Sequence, residues 1–252
     1  MSDHIKTELK DRVLYITFNR PDKKNALTHA MYATIVAAMK NADDDDDVRA
    51  IMFTGAGDAF TSGNDLADFR DTPPLGEDAP VQQFLQCLLT AKKPLVMAVN
   101  GIAVGVGLTM LLHADIVYAS EAAVLQAPFV DLALVPEAGS SLLLPARIGH
   151  ARAAEMFMLG KRVGAEEAYG MGLVSRVLKA EELVPAATKA AQALAKKAPK
   201  ALMHTKALMR GDTSVVAKRM VEEGKLFSAQ LTSPEVMEAI MAFMQKREPN
   251  FG

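Results

Sequence analysis

Four apolar runs, each ending at a polar or glycine-bearing turn and mostly followed by a helical stretch, constrain this chain more than any other feature. Residues 12 to 19, RVLYITFN, carry the β-branched and aromatic residues of a strand and stop at Asn19-Arg20-Pro21. VRAIMFT (48–54) stops at GAGDAF, and PLVMAV (94–99) stops at Asn100-Gly101. DIVYAS (115–120) is a fourth strand. Between them lie helical patterns. One starts at about Thr28, an N-cap, with Met31, Ile35, Val36 and Met39 on one face; others cover 81–90 and begin near Val106. Strand and helix alternating in this way give an α/β layered fold.

From Ala151 the pattern becomes almost entirely helical: 151–159, 165–171, 180–197, 200–210, 215–229 and 234–246. We divide the chain into a core, 1–195, and a helical C-terminal region, 196–252. The 252 residues, half of them apolar, suffice for one large domain with such an appendage. The stretch DTPPLGEDAP (71–80) reads as a surface loop. The run Asp43 to Asp47 reads as a solvated turn, because it lacks the ligand spacing and glycine of a calcium loop.

A net charge of −2 provides no basic field for nucleic acid, and the absence of tryptophan disfavours a base-stacking platform. A single cysteine, Cys87, excludes an internal disulfide framework and fits a reducing compartment. No apolar run reaches bilayer length. The polar start MSDHIKTELKDRV is unlike a secretory signal, and the end KREPNFG is neither a peroxisomal tripeptide nor a lipidation motif. A cytoplasmic protein without nucleic-acid, membrane or metal partner is expected.

Two turns carry the chemistry. GAGDAFTSGNDL (55–66) follows one strand, and NGIAVGVGLTML (100–111) joins another to a helix. Small residues there let backbone approach closely, so that one N–H from each turn, aimed at one point, would form an oxyanion hole. The second turn also offers the amides of a helix start. The glycines at 101, 105 and 107 do not fit G-x-G-x-x-G, and no P-loop lysine follows. A third stretch, LVPEAGSSLLL (134–144), sets one acid, Glu137, among small and apolar residues.

The segments NRPDKKNAL (19–27), AFTSGNDL (59–66), NGIAVGVG (100–107) and MGLVSRV (171–177), in this order and spacing, resemble the enoyl-CoA hydratase/isomerase, or crotonase, superfamily. The resemblance covers nearly the whole chain. It implies a ClpP-like spiral of β-β-α units, a helical C-terminal trimerisation region and assembly as a homotrimer or homohexamer. It implies an acyl-CoA thioester as substrate and no separate cofactor. Carried over residue by residue, the oxyanion amides are those of Asn64 and Val106. Lys24, Asn25 and Ala26 match the stretch that holds CoA, and Ser62, Gly63, Asp65, Leu66, Gly105 and Phe129 fall at further substrate-binding positions. Arg20, Lys23 and Lys24 place positive charge where polyanionic CoA would enter. The last helix resembles the family's, from which Phe243 and Lys246 reach a nucleotide.

The acid–base groups select the reaction. Hydratases of this superfamily use two glutamates; the matching positions here hold Thr109 and Phe129, neither of which is a base at neutral pH. The context PF…LVPEAGSS instead resembles peroxisomal-type Δ3,Δ2-enoyl-CoA isomerases and their bacterial relatives, whose catalytic glutamate corresponds to Glu137. Apolar neighbours such as Phe129, Leu134 and Leu142 would raise its pKa toward ~6–7. Asp65 reads as a turn or cap residue, His113 as a packed or solvent-edge histidine, Asp131 as a weaker second acid, and Ser140 and Ser141 as helix-start residues. The expected function is isomerisation of 3-enoyl-CoA to 2-enoyl-CoA. The alternatives are a hydratase or other crotonase-type lyase, and a non-catalytic acyl-CoA-binding module.

Overall fold

The computed structural model describes residues 2–74, 76, 78–245 and 247–252, without the side chain of Phe243. The chain opens with a hairpin, β1 (Ile5–Lys10) and β2 (Val13–Phe18), paired antiparallel. Asp11 and Arg12, both at positive φ, form its two-residue turn. Helix α1 (His29–Asp44) follows, capped by the Thr28 hydroxyl, which accepts from Met31 N as expected. Then come β3 (Ala50–Gly55), β4 (Ala59–Thr61), α2 (Leu66–Asp71) and α3 (Pro80–Thr90). The middle of the chain holds β5 (Leu95–Val99), β6 (Ile102–Val104), α4 (Val106–Thr109), β7 (Ile116–Ser120) and β8 (Val124–Gln126). Next are α5 (Ser140–Ile148), α6 (His150–Met158), β9 (Val163–Gly164), α7 (Ala165–Gly170) and β10 (Arg176–Leu178). Four helices end the chain: α8 (Ala180–Ala195), α9 (Pro199–Arg210), α10 (Ser214–Leu231) and α11 (Pro234–Gln245).

The strands form two sheets, ordered β1-β2-β3-β5-β7-β10 and β4-β6-β8-β9. All neighbours are parallel except β1–β2 and β8–β9. The chain passes repeatedly from the large sheet to the small one: β3 to β4, β5 to β6, β7 to β8. These are the stacked β-β-α turns of the expected spiral. Phe18 and Phe53 of the large sheet pack with Phe60 of the small one, the Phe18 ring lying 6.0 Å from Phe53 and 5.3 Å from Phe60. Because side chains alternate along a strand, the opposite face of the large sheet presents Val13, Ala50, Met52, Val96 and Ala98. Leu183, Ala187 and Ala191 of α8 cover it.

Several elements depart from the sequence-based expectation. β1 is a strand although five of its six residues face solvent; its pairing is supplied by the backbone of β2. The almost entirely helical region from Ala151 also contains β9 and β10, which complete the edges of the two sheets. The Asp43–Asp47 run forms the end of α1 and an exposed turn, with Asp43 accepting from the amides of Lys92 and Lys93.

The proposed division at 195/196 falls at the end of α8. Beyond it, Lys206 of α9 buries its ammonium against Asp115 (2.6 Å) and the Lys93 carbonyl (2.7 Å). Arg210 donates to the carbonyls of Leu89 and His113. These bonds fasten α9 to the core, where an unpaired buried cation would be costly. Among the described residues no helix is long and apolar enough to cross a membrane.

Candidate active site

The two turns expected to supply main-chain donors lie side by side because β4 and β6 are paired. Their contact depends on missing side chains. A Cβ on Gly63 would lie 2.9 Å from the Val104 carbonyl oxygen, and one on Gly107 would lie 2.7 Å from Thr61 Cγ2. In the first turn, a parallel bridge joins Leu27 to Asn64, with Leu27 N donating to Gly63 O and Asp65 N to Leu27 O. That pairing directs the N–H of Asn64 itself to the other side of the strand. In the second turn, Gly105 adopts φ 56°, and Val106 is the first residue of α4, so no helix carbonyl precedes it to accept its N–H. α4 is a single turn that continues as a 3-10 helix over Met110–His113.

Glu137 is 8% exposed. The Thr109 hydroxyl donates a short hydrogen bond to Glu137 Oε1. Glu137 Oε2 is buried and has no partner among the described residues. Burial, opposed by the Thr109 bond and reinforced by the nearby Glu223 carboxylate, pushes the Glu137 pKa up to about 8. This exceeds the ~6–7 expected from sequence, because the carboxyl group is more completely desolvated than its half-buried neighbours Leu134 and Leu142 suggest.

Tyr32 of α1 bonds to the first turn and feels the charge of Glu137. It is fully buried, its hydroxyl donates to Asn64 Oδ1, and its pKa is driven well above the usual value by burial and by the neighbouring Glu137. Thr109, one helical turn beyond Val106, links the base to the second turn. Thr109 thus bonds to the acid and Tyr32 to the first turn, two contacts that the sequence did not announce. The signal for Thr109 lay in its position, which matches a glutamate of the hydratases: the hydroxyl there binds Glu137.

The residues placed at the CoA-binding positions separate into two sets. Lys23 and Lys24 are exposed, and Lys24 pairs with Asp58 at 2.7 Å. Ala26, Ser62 and Leu66 are half-buried along the same turns. Asn25 is fully buried: its side chain accepts from Arg20 N and donates to Ala56 O and Ala59 O. Its own carbonyl accepts from Thr61, so this side chain holds the turn together. Arg20 differs from its expected place in the entrance charge. Its guanidinium turns inward to Asp65 (2.6 Å) and the Ala26 carbonyl, where burial rewards pairing. Asp65 caps α2, accepting from Ala67 N and Asp68 N, as its sequence context suggested. Despite partial burial, Arg20 and those amides hold the Asp65 carboxyl below the usual range.

Phe129 is buried and packs on Phe157 at 6.3 Å. Asp131 is exposed, with its carboxylate against Gly160, so it does not share the buried setting of Glu137. His113 is buried rather than at a solvent edge. Burial lowers its pKa to about 4, so the ring is neutral, and its Nε2 must donate to the Ala138 carbonyl 2.8 Å away. A cavity of about 560 Å³ opens beside His113, Arg147 and Arg210, and Glu137 does not line it. Lys246 and the side chain of Phe243 lie outside the described residues.

A spiral of two sheets with a buried carboxyl between two glycine turns defines a class, and the comparisons agree with it. Residues 8–252 match the enoyl-CoA hydratase/isomerase family, and the chain belongs to that family of enzymes. It is 39% identical to rat (Rattus norvegicus) enoyl-CoA delta isomerase 2 over 239 residues, covering 92% of this chain and 61% of that protein. The chain thus spans about three fifths of that relative's length. It is 32% identical to 1,2-epoxyphenylacetyl-CoA isomerase of Escherichia coli K12, covering 100% of this chain and 99% of that one. Among solved structures, an enoyl-CoA hydratase/isomerase from Pseudoalteromonas atlantica T6c superimposes with a TM-score of 0.96 at 43% identity, over 99% of this chain and 100% of that one.

Proposed function

We propose that the protein is a Δ3,Δ2-enoyl-CoA isomerase in which Glu137 alone moves the proton. The observation that carries this reading is the unpartnered, buried Glu137 Oε2, on an acid whose other oxygen is fixed by Thr109. Oε2 removes a proton from the carbon alpha to the thioester of a 3-enoyl-CoA. The electron pair of that C–H bond delocalises into the dienolate, whose oxygen accepts hydrogen bonds from the amides of Asn64 and Val106. The protonated Glu137 then delivers the same proton to the gamma carbon, and the double bond becomes conjugated with the thioester. A desolvated site keeps the proton from exchanging with water during the transfer.

Several observations support isomerisation over hydration. Hydration by the two-glutamate route needs bases where this chain has Thr109 and Phe129, and Thr109 is occupied with Glu137. A rat relative carries an isomerase name. The full-length match to 1,2-epoxyphenylacetyl-CoA isomerase favours a second substrate, an epoxyphenylacetyl thioester, for the same base and donors. We further propose assembly as a homotrimer or homohexamer in which the 196–252 region takes part. Its Leu208 and Met209 are 83% and 79% exposed, apolar side chains that a neighbouring subunit would cover.

The test is one preparation assayed with 3-enoyl-CoA, 2-enoyl-CoA and 1,2-epoxyphenylacetyl-CoA. Double-bond migration should exceed hydration by a wide margin. Hydration at an equal or greater rate would overturn the reading, and turnover of the epoxide alone would replace the substrate. CoA binding with no turnover of any of the three would leave a binding module.

A further inference from the structure

Residues Ala138 and Gly139, immediately after the base, both adopt the left-handed conformation, with φ of 62° and 70°. For alanine this costs about 1–2 kcal/mol, so the surrounding structure must impose it. Three contacts do so. Glu223 of α10, itself buried, accepts from Gly139 N at 2.6 Å and from Ser141 N at 2.9 Å with its two oxygens. His113 donates to the Ala138 carbonyl from the other side. Val216 of α10 sits so close that a Cβ on Gly139 would be 2.7 Å from its Cγ1.

We propose that Glu223 is a positioning residue for Glu137: from the C-terminal helical region it clasps the left-handed turn that aims the base, with His113 as the opposing grip. This rests on the reading of Glu137 as the base. A buried carboxylate bonded two and four residues beyond a buried acid is an unusual purely structural cap, because a serine or threonine could cap α5 without adding charge. The acidic cap fits a site in which a nearby negative charge helps the base keep its proton affinity.

The charged and titratable groups around the pair are few. Glu137 faces Tyr32 from α1 and Glu223 from α10. Glu223 faces Arg219 on its own helix, whose guanidinium also reaches Ser141 Oγ at 3.2 Å and pairs with the exposed Glu222. His113 faces Arg147 of α5 and Lys206 and Arg210 of α9, all of which oppose its protonation.

The experiment compares the full-length parent with Glu223→Gln, Glu223→Asp, Glu222→Gln and Glu137→Gln, after circular dichroism shows each is folded. Glutamate labelled with ¹³C at the side-chain carboxyl gives the Glu137 titration directly, assigned by its loss in Glu137→Gln. Isomerisation gives kcat, KM and the pH profile. Glu223→Gln loses the charge and can satisfy only one of two amides. We expect its Glu137 midpoint to fall by about 0.5–1 unit. We expect kcat to fall about tenfold with KM nearly unchanged.

Glu223→Asp keeps the charge but is too short for both amides, so kcat falls while the midpoint stays. If Glu223→Gln does not fold, parental kcat in the aspartate variant overturns the proposal. So does an unchanged midpoint and kcat in Glu223→Gln, or an equal shift in Glu222→Gln. The two readings fail separately. Full activity in Glu137→Gln removes the base assignment, whereas the carboxyl titration decides the coupling between Glu137 and Glu223 in either case.

Discussion

The turn after β4 and the turn before α5 are both left-handed in part and both belong to the proposed site, yet they are held by different means. The first, at 62–65, is fixed by main chain: a bridge to Leu27, the pairing of β4 with β6, and the close approach of Gly63 to Val104. The second, at 137–141, is fixed by side chains from distant parts of the chain, His113 and Glu223. The proposed donors therefore follow from the spiral itself, whereas the proposed base is attached to it by particular residues. A site built this way can change its acid–base group while leaving its donors untouched.

That contrast can be broken most directly at the base. Glu137→Gln should reduce isomerisation by about 10³-fold while CoA affinity, measured by calorimetry, stays within a few-fold. Retention of most activity would mean that the second turn carries no chemistry. Replacing Gly107 with leucine attacks the first turn through its contact with Thr61; displacing one donor should cost about 10²-fold in kcat. An unchanged rate would show that the main-chain scaffold does not position the hole.

The base can also be probed by pH. Below about 8, where Glu137 is protonated in the free protein, kcat/KM should rise about tenfold per pH unit and then level off. Thr109→Val removes the bond that lowers the Glu137 pKa, so the midpoint should move up. Its rate should fall by about tenfold at pH 7 and by much less at pH 9. Stability runs the other way from activity. A carboxyl raised from 4.5 to about 8 holds its proton in the native state, so the stability present below about 4.5 declines as pH rises toward 8. Glu137→Gln removes this decline, and its Tm should exceed the parent's by more at pH 9 than at pH 5. The smallest effect is expected at Lys24→Ala. Its exposed pair with Asp58 should not affect Tm measurably, and CoA binding should weaken a few-fold at low salt only.

What could be read from sequence follows the same division. β2, β3, β5 and β7 are legible because four or five apolar residues in a row give a strand its signature. β4, β6 and β8 have three residues each, too few to show any period, so the second sheet entered only through the family resemblance. β1 carries no strand signature in its polar sequence, because its stability comes from backbone pairing and leaves its side chains in solvent. At the site, Glu137 stood out as an acid among apolar residues. Its partners did not: Thr109, His113 and Glu223 lie 28, 25 and 84 positions from the residues they bind. No local pattern marks a side chain whose role depends on a contact so remote. Arg20 was misplaced for the same reason, since Asp65, 45 residues away, decides where its guanidinium points.

The clasp from α10 has a consequence for how the protein comes into being. A growing polypeptide that has passed Ser141 already contains the acid and both donor loops, but it lacks the grip supplied by Glu223 until more than eighty further residues have been made. On the proposal that Glu137 is the base and Glu223 its clasp, an unfinished chain would hold the acid without that grip until α10 docks.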